Sequence, residues 1–296
     1  MSPSFATVAT EFIDRPGLSQ TTTRSYESTL MPLLQLYGRF PIDIVDRDLL
    51  ETYLNGLTEL RYSTHHRHQA IVQALMNYAV DRNYIRVNPI ARLPRRKADP
   101  QRGEHQSDQV IRYLTAAQLH SLYQAVAKAR RMKALIHLLH RSGARISEVL
   151  ALDLADIDMN NSRFQVVGKG NKTRWCFFST DAQQSLEKYL KHYRHPQSPA
   201  LFTAQHRFSL EISRLNYSTA YKSFKQLIAG RPELEGIRLH DLRHTFATER
   251  VGLMGLEELR ALMGHQNIQT TLRYQKVTSA QAKHAAQKAF QSLQER

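Results

Sequence analysis

Six side chains in the second half of the sequence have the types needed to cut and rejoin a phosphodiester. They are Arg145, Lys169, His240, Arg243, His265 and Tyr274. A phosphodiester resists attack because its anionic oxygens repel a nucleophile and its alkoxide is a poor leaving group. Two guanidiniums can hold the non-bridging oxygens and strengthen their grip as charge builds on phosphorus. We assign this role to Arg145 and Arg243, and we predict no divalent metal.

Each of these residues alone also has an ordinary structural interpretation. Arg145 could lie on a helix surface, Lys169 could aid solubility at a hairpin tip, and His265 could cap a helix. Most of the 13 tyrosines lie on apolar helical stripes, where packing is the default, whereas Tyr274 follows a threonine turn. The combination, rather than any single residue, points to phosphate chemistry.

Four short motifs carry the six residues in a fixed order. Arg145 lies in SGARISEVLAL, Lys169 in GKGNK, His240 and Arg243 in HDLRHTFAT, and His265 ends LMGH, nine positions before Tyr274. The set resembles the tyrosine recombinases, the group of phage integrases and Xer-type resolvases. The resemblance is close from residue 114 to residue 277 and looser over the N-terminal region. It implies that the six residues are the family's catalytic set, with none missing.

The resemblance and the chemistry together give the other members their roles. Tyr274 attacks phosphorus and leaves a 3′-phosphotyrosyl link and a free 5′ hydroxyl, so rejoining needs no cofactor. His240 accepts the tyrosine proton or orients the phosphate, and His265 donates to a non-bridging oxygen. Lys169, on a flexible hairpin tip, protonates the departing 5′ oxygen. Lys172 is the alternative acid.

Two neighbours of the catalytic set need separate treatment. Glu148 lies one helical turn after Arg145 and is expected to orient a catalytic side chain, with a surface carboxylate as the alternative. His240 and His244 have the spacing of helical zinc ligands. Asp241, however, replaces the glutamate of a zinc protease motif, and no third ligand is obvious. We therefore predict no metal here and a structural place for His244.

The chain carries a large excess of positive charge. Its 296 residues include 41 Lys and Arg against 26 Asp and Glu, a net charge of +15. The ordinary hydrophobic content places this charge on a folded body, so double-stranded DNA is the favoured partner and an anionic membrane the weaker one. The single cysteine, Cys176, excludes an internal disulfide. We see no export signal or spanning segment and expect a cytoplasmic, nucleoid-associated protein without membrane contact.

Residues 1–91 predict an all-helical domain, which the resemblance identifies as a core-binding DNA domain. Apolar periodicity marks four helices, over residues 5–13, from 21, from 46, and over 63–80. Pro32 is expected to kink or break the second helix. A basic cluster at the start of the fourth helix is expected to contact DNA, with solvation as the alternative. Its members are Arg61, His65, His66, Arg67 and His68.

Residues 92–109 predict a basic interdomain linker. Pro89, Pro94 and Pro100 interrupt any regular pattern around it. Its charges could simply be solvated, but between two domains of so basic a chain we expect them to follow a phosphate backbone. The predicted contacts are Arg92, Arg95, Arg96 and Lys97, joined by Lys172 of the hairpin tip.

Residues 110–296 predict a catalytic domain that is mainly α with a small β-sheet. Thr115 is expected to cap a helix through residue 127, and helices over 132–141 and 144–152 follow. Two β-rich runs, 163–167 and 174–178, flank a turn-rich basic tip and predict a hairpin. Helices resume from 181. The tail after residue 278 could pack on its own domain or, as the resemblance suggests, dock into a neighbouring protomer.

The sequence as a whole predicts a site-specific DNA recombinase. The resemblance implies two successive transesterifications through a Holliday junction, a homotetramer joined by the C-terminal helix, and room for accessory DNA-bending proteins. The two domains are expected to form a C-shaped clamp around DNA. Two alternatives stay open: a type IB topoisomerase that relaxes DNA as a monomer, and a catalytically inert DNA-binding regulator of the same fold.

Overall fold

The computed structural model describes residues 2–104, 111–168, 173–206 and 209–275. This part of the chain is mainly helical with two small antiparallel sheets, as the sequence predicts. The chain divides into two compact units, Met1–Gln109 and Val110–Arg296, and each has its own hydrophobic core. Among the described helices, none is both long and apolar enough to cross a membrane.

The described part of the first unit is built on four α-helices. They are α1 (Phe5–Asp14), α2 (Gln20–Tyr37), α3 (Arg47–Gly56) and α4 (Tyr62–Asp81). Ser4, Ser19 and Asp46 cap the first three helices, each side chain accepting from the backbone N–H three residues further on. One apolar face of α4 is buried. It comprises Ile71, Leu75, Met76 and Ala79.

Pro32 lies inside a helix that runs without interruption from Gln20 to Tyr37, although the sequence predicts a break or kink there. A proline inside a helix removes one N–H donor and frees the carbonyl four residues earlier. Pro32 and Ser28 are both exposed, so water can reach the freed carbonyl of Ser28. The helix therefore continues because the lost bond lies on its solvent side.

Residues 92–104, which the sequence assigns to a linker, are held by the first unit. Gln69 of α4 donates to the carbonyl oxygen of Leu93 at 2.9 Å. Arg96 forms an ion pair with Glu104 at 2.7 Å, and Glu104 also accepts from the backbone N–H of Tyr62 at 2.7 Å. These contacts attach the segment to α4, so over this range it is part of the first unit and not a free spacer.

Helices also dominate the second unit, and α6 is its central element. The helices are α5 (Ala116–Val126), α6 (Arg130–Ser142), α7 (Ile146–Ala151), α8 (Thr180–His192), α9 (Tyr217–Ile228), α10 (Asp241–Arg250), α11 (Leu256–Met263) and α12 (Ile268–Leu272). Every residue of α6 from 134 to 140 is buried, and the helix packs against α8 and α10. Thr115 caps α5 as predicted. The central position of α6 fixes the start of α7, which follows it directly.

The predicted hairpin is confirmed and forms most of a three-stranded antiparallel sheet. Its strands are β1 (Ile157–Asp158), β2 (Arg163–Val167) and β3 (Thr173–Phe177), in the order β1-β2-β3. Gln165 pairs with Trp175 across the hairpin. A second pair, β4 (Thr203–Gln205) with β5 (Ile212–Arg214), lies where the sequence predicted only helices. Strands of three residues are too short to leave a period in the sequence.

Candidate active site

A glycine turn between α6 and α7 places Arg145. Gly143 has φ +65°, and a Cβ there would lie 2.4 Å from the ring of Phe246. Both the left-handed backbone and the close approach therefore require glycine. The turn brings Arg145 to the N-cap position of α7, where its backbone N–H donates to Glu148 at 2.7 Å.

Glu148 is the buried carboxylate that orients the arginines of this site. It accepts from Arg145 Nη1 at 2.9 Å and from both terminal nitrogens of Arg174 at 2.9 and 2.7 Å. Its side chain is only 7% exposed. Burial alone would raise the pKa of Glu148, but the hydrogen bonds from Arg174 and Arg145 outweigh it and leave the pKa below its ordinary value. The expected orienting role of Glu148 has this geometric basis, and its partners are Arg145 and Arg174.

Arg174 belongs to this cluster, although the sequence did not single it out. It lies on β3 and also donates from Nε to the carbonyl oxygen of Leu262 at 3.2 Å. Gly264, with φ +62°, lies so close that a Cβ there would be 2.8 Å from Arg174 Nη1. Arg174 therefore connects the hairpin, Glu148 and the end of α11. Its place two residues after GKGNK is the signal that could have found it.

Arg243 of α10 is the most enclosed arginine of the cluster, with 3% exposure. Its guanidinium donates to the carbonyl oxygens of Gly143 at 2.5 Å and Met263 at 2.6 Å. Burial and the neighbouring charge of Arg145 lower the pKa of Arg243 to about 10, which still leaves it charged at neutral pH. The residue is thus held from two sides before any substrate arrives.

His265 and Tyr274 come from the segment after α11. Both are buried, and their rings are parallel, with an interplanar angle of 3° and centroids 6.3 Å apart. Nδ1 of His265 is hydrogen-bonded to the hydroxyl of Thr271 at 2.9 Å. Burial, followed by the charge of Arg243, lowers the pKa of His265 to about 4, so the ring is neutral at pH 7. Burial raises the pKa of Tyr274.

The histidine that contacts the tyrosine hydroxyl is His244. Its Nδ1 lies 2.7 Å from Oη of Tyr274. The motif predicts that His240 accepts the tyrosine proton or orients the phosphate and that His244 is structural. In the structure the ring of His240 packs edge-on against His244, with centroids 4.8 Å apart. His244 lies four residues after His240, about one helical turn further along, and there it contacts the returning chain at Tyr274. The sequence alone does not show where that return occurs.

These contacts bring residues from four separate segments of the chain into one cluster. Residues 112–281, more than half of the chain, match the Phage integrase family. The chain belongs to this family. It is the tyrosine recombinase group that the motifs indicate.

Relatives and solved structures of the integrase family agree with this placement. A tyrosine recombinase XerC of Herpetosiphon aurantiacus is 31% identical over 251 residues, which span 80% of this chain and 78% of that protein. The Tn1549 transposon integrase in complex with a circular intermediate DNA has a TM-score of 0.77 at 20% identity, covering 97% of this chain and 100% of that chain. A lambda integrase tetramer bound to a Holliday junction has a TM-score of 0.67 at 16% identity, covering 90% and 78%. The fold is therefore that of the integrases.

The two lysines assigned to this integrase site, Lys169 and Lys172, lie outside the described residues. Their flanking residues, Gly168 and Thr173, line a cleft of about 960 Å³. Arg145 and His265 line the same cleft. The assignment of Lys169 as the leaving-group acid stays a prediction.

Metal ligation finds no support in the described part of this integrase. Within those residues, no three His, Cys, Asp or Glu side chains are grouped as a metal site requires. The pair His240 and His244 is occupied by its contacts with each other and with Tyr274. Cys176 is buried, and burial raises the pKa of its thiol to about 11, so it does not supply a thiolate.

The basic cluster at the start of α4 divides into buried and exposed members. His65 is 4% exposed, and its Nε2 donates to the carbonyl oxygen of Leu54 at 2.9 Å. The prediction that His65 contacts DNA is therefore wrong, because its polar group is turned into the first unit. Arg61 and Arg67 are exposed, and Arg67 is hydrogen-bonded to Ser25.

The other predicted DNA contacts of the first unit differ in whether their side chains already have hydrogen-bond or ion-pair partners. His66 is bonded to the carbonyl oxygen of Arg96 at 3.1 Å, and His68 to that of Thr64 at 3.2 Å. The guanidinium of Arg96 is taken up by Glu104. Arg92, Arg95 and Lys97 are exposed and have no hydrogen-bond or ion-pair partner within the described ranges. DNA contact by these residues stays a prediction, and the last three are the freest to make it.

Proposed function

We propose that this integrase-family protein is a site-specific recombinase that cleaves and rejoins duplex DNA through a 3′-phosphotyrosyl intermediate. The observation that carries the proposal is the convergence of Arg145, Arg243, His265 and Tyr274. They come from the start of α7, from α10, from the end of α11 and from the end of α12. Carbonyl contacts and ring packing link the four segments, so the cationic and nucleophilic groups occupy one small region.

The arginines are suited to stabilise charge on the transferred phosphate. A guanidinium has five N–H donors, and the two backbone contacts of Arg243 leave others for a substrate. Arg145 is 38% exposed, which leaves it accessible, while Glu148 fixes its direction. Donors fixed in advance need no reorganisation when negative charge develops on the pentacoordinate phosphorus, and removing one such donor typically costs about 100- to 1000-fold in rate.

Tyr274 supplies the nucleophile and Lys169 the leaving-group proton. Oη of Tyr274 forms the bond to phosphorus, the bond from phosphorus to the 5′ oxygen breaks, and Lys169 protonates that oxygen. A sulfur in the 5′ bridging position leaves without a proton, so cleavage by Lys169→Ala is expected to recover on that substrate. Lys172→Ala is the matched control. If Lys172→Ala alone is rescued, the acid is the second lysine.

The complete reaction requires several copies of the chain. We extend the proposal to a homotetramer that exchanges strands through a Holliday junction, with the C-terminal tail as the connecting helix and accessory DNA-bending proteins as further partners. The fold shared with a lambda integrase tetramer bound to a Holliday junction supports the tetramer and the junction. The tail itself, residues 276–296, lies outside the described residues.

A nicked suicide duplex tests the proposal. Genomic fragments that the full chain traps covalently are sequenced to obtain its site, and a nick near the scissile phosphate then lets the short strand escape after cleavage. Wild-type protein is expected to form an adduct that survives denaturing electrophoresis. Tyr274→Phe is expected to bind the duplex equally and form none, whereas Tyr217→Phe, at an exposed tyrosine of α9, keeps it.

The outcomes separate the alternatives. No adduct with wild-type protein would leave only an inert DNA-binding regulator. An adduct retained by Tyr274→Phe would place the nucleophile elsewhere. Relaxation of supercoiled DNA by a monomer, without joining of two sites, would indicate the topoisomerase.

A further inference from the structure

The Tyr274 hydroxyl has a direct partner that could take its proton. Within the described residues, its hydrogen bond is to Nδ1 of His244 at 2.7 Å. His265 packs parallel to Tyr274, but its Nδ1 is already bonded to Thr271. The ring of His240 contacts His244, and no hydrogen bond joins it to the tyrosine in the described structure. Of the three histidines, His244 is therefore the one in place to act on Oη.

We propose that His244 Nδ1 accepts the proton that Tyr274 loses as its oxygen attacks phosphorus. The inference rests on the proposed phosphotyrosyl chemistry and replaces His240 in the acceptor role. The Oη–H bond breaks and the proton passes to Nδ1, while the Oη–P bond forms and the bond from phosphorus to the 5′ oxygen breaks. In rejoining, the 5′ hydroxyl attacks, and His244 returns the proton to the departing phenolate oxygen.

The surroundings of His244 keep it able to accept. Burial and the adjacent His240 lower the pKa of His244 to about 4, and Arg238 and Arg243 act in the same direction. Asp241 opposes them. From the segment after α11, Tyr274 is hydrogen-bonded to the ring, and His265 interacts with it electrostatically. The imidazole is therefore neutral at pH 7, and the acceptor role requires the tautomer with its hydrogen on Nε2.

A neutral imidazole is a weaker base than a buried phenolate, so the timing of the transfer matters. Burial raises the pKa of Tyr274, which makes spontaneous ionisation unfavourable. The phenolic oxygen becomes acidic as it donates electrons to phosphorus, and the arriving phosphate anion favours a charged imidazolium nearby. Proton transfer therefore runs together with formation of the Oη–P bond.

The test compares adduct formation by wild-type protein and His244→Gln on the nicked duplex, in single turnover, between about pH 7 and about pH 9. Glutamine can accept a hydrogen bond but cannot carry the proton. The variant is expected to lose about 100-fold at neutral pH and to recover as pH rises, because ionised tyrosine then supplies the nucleophile. The ratio of the two rates cancels any titration that they share, such as that of Lys169. His240→Gln is the matched control, and its ratio to wild type is expected to stay constant with pH.

A second experiment measures adduct formation with a more acidic phenol at position 274, both in the wild-type chain and in His244→Gln. A 3,5-difluorotyrosine at position 274 ionises more easily, so it is expected to restore His244→Gln much more than it speeds the wild-type chain. Duplex binding and thermal unfolding show whether the variant is folded. If the variant is unfolded, difluorotyrosine in the otherwise wild-type chain still decides: adduct formation that gains about tenfold or more on fluorination means that no base assists Tyr274.

Three results would overturn the inference. A rate ratio for His244→Gln that does not change with pH or fluorination would reduce His244 to a positioning residue. Faster adduct formation by the variant would make the hydrogen bond a restraint on Tyr274. If His240→Gln instead shows the pH-dependent loss of adduct formation, His240 is the residue that accepts the proton. In all three cases the wild-type protein still forms the adduct. If the proposed function itself is wrong, the wild-type protein forms none.

Discussion

The basic residues of the second unit's cluster and those at the start of α4 look alike in sequence but have different surroundings. Arg243 is 3% exposed and held by two backbone carbonyls, and Arg174 is held by the buried carboxylate of Glu148. Arg67 in the first unit is exposed, and its side chain is hydrogen-bonded to Ser25. A buried and fixed cation acts on charge as it develops, while an exposed one gives a salt-screened attraction. We therefore expect the first set to control reaction rate and the second to control affinity.

The largest effect expected on stability comes from separating Arg174 and Glu148. Arg174→Ala removes two of the hydrogen bonds to a carboxylate with 7% exposure, and loss of one partner from a buried pair typically costs about 3–5 kcal/mol. Arg47→Ala breaks an exposed pair with Glu51 and is expected to cost less than about 1 kcal/mol. The free energy of unfolding, from denaturant titration of each variant, gives the comparison.

A double-mutant cycle sharpens this prediction. Glu148→Gln is expected to lessen the harm of Arg174→Ala, because no uncompensated charge is then buried. Arg174→Lys is expected to fall between wild type and alanine, since one ammonium cannot hold both carboxylate oxygens and the Leu262 carbonyl together. Strictly additive losses in the cycle, or equal losses at Arg174 and Arg47, would remove the distinction between the two regions.

The sequence predicts the residues whose chemistry is tied to a motif better than those placed by tertiary packing. Arg145, Arg243, His265 and Tyr274 are found by motif and order, and the structure brings them together. The contact of His244 with Tyr274 was not predicted, because His240, one helical turn earlier, carries the same side chain. Which of the two meets Tyr274 depends on a contact between residues 30 positions apart.

The burial of His65 in the first unit could have been predicted from the sequence. His65 continues the buried face of α4 through Gln69, Val72 and Met76, at intervals of four, three and four residues. The period places His65 inside, whereas its basic neighbours suggest a surface. Periodicity is the stronger of the two signals because burial of a whole face depends on it. The short β4–β5 pair offered no such period.

An intermediate effect is expected on the pH dependence of stability. Burial and Arg243 lower the pKa of His265 to about 4 from its ordinary value of 6.5. Between these values the unfolded chain binds a proton that the folded chain does not, so stability is lost as pH falls from about 6.5 to about 4. The loss from this group is at most about 3.5 kcal/mol. Denaturant titrations of wild type and His265→Gln should diverge in this range, with the variant less sensitive. Parallel curves would show that His265 does not titrate differently on unfolding.

The smallest effects come from the start of α4, and they test the comparison from its other side. His65→Ala removes a buried hydrogen bond and is expected to cost about 1–3 kcal/mol of stability while leaving the salt dependence of DNA binding unchanged. Arg67→Ala is expected to change stability by less than about 0.5 kcal/mol and to lower the slope of log affinity against log salt by about one. Fluorescence anisotropy over a salt series, with thermal unfolding of the same samples, measures both. If the slope falls for His65→Ala as it does for Arg67→Ala, the buried histidine contributes to phosphate binding, and burial no longer separates the residues that shape the protein from those that meet DNA.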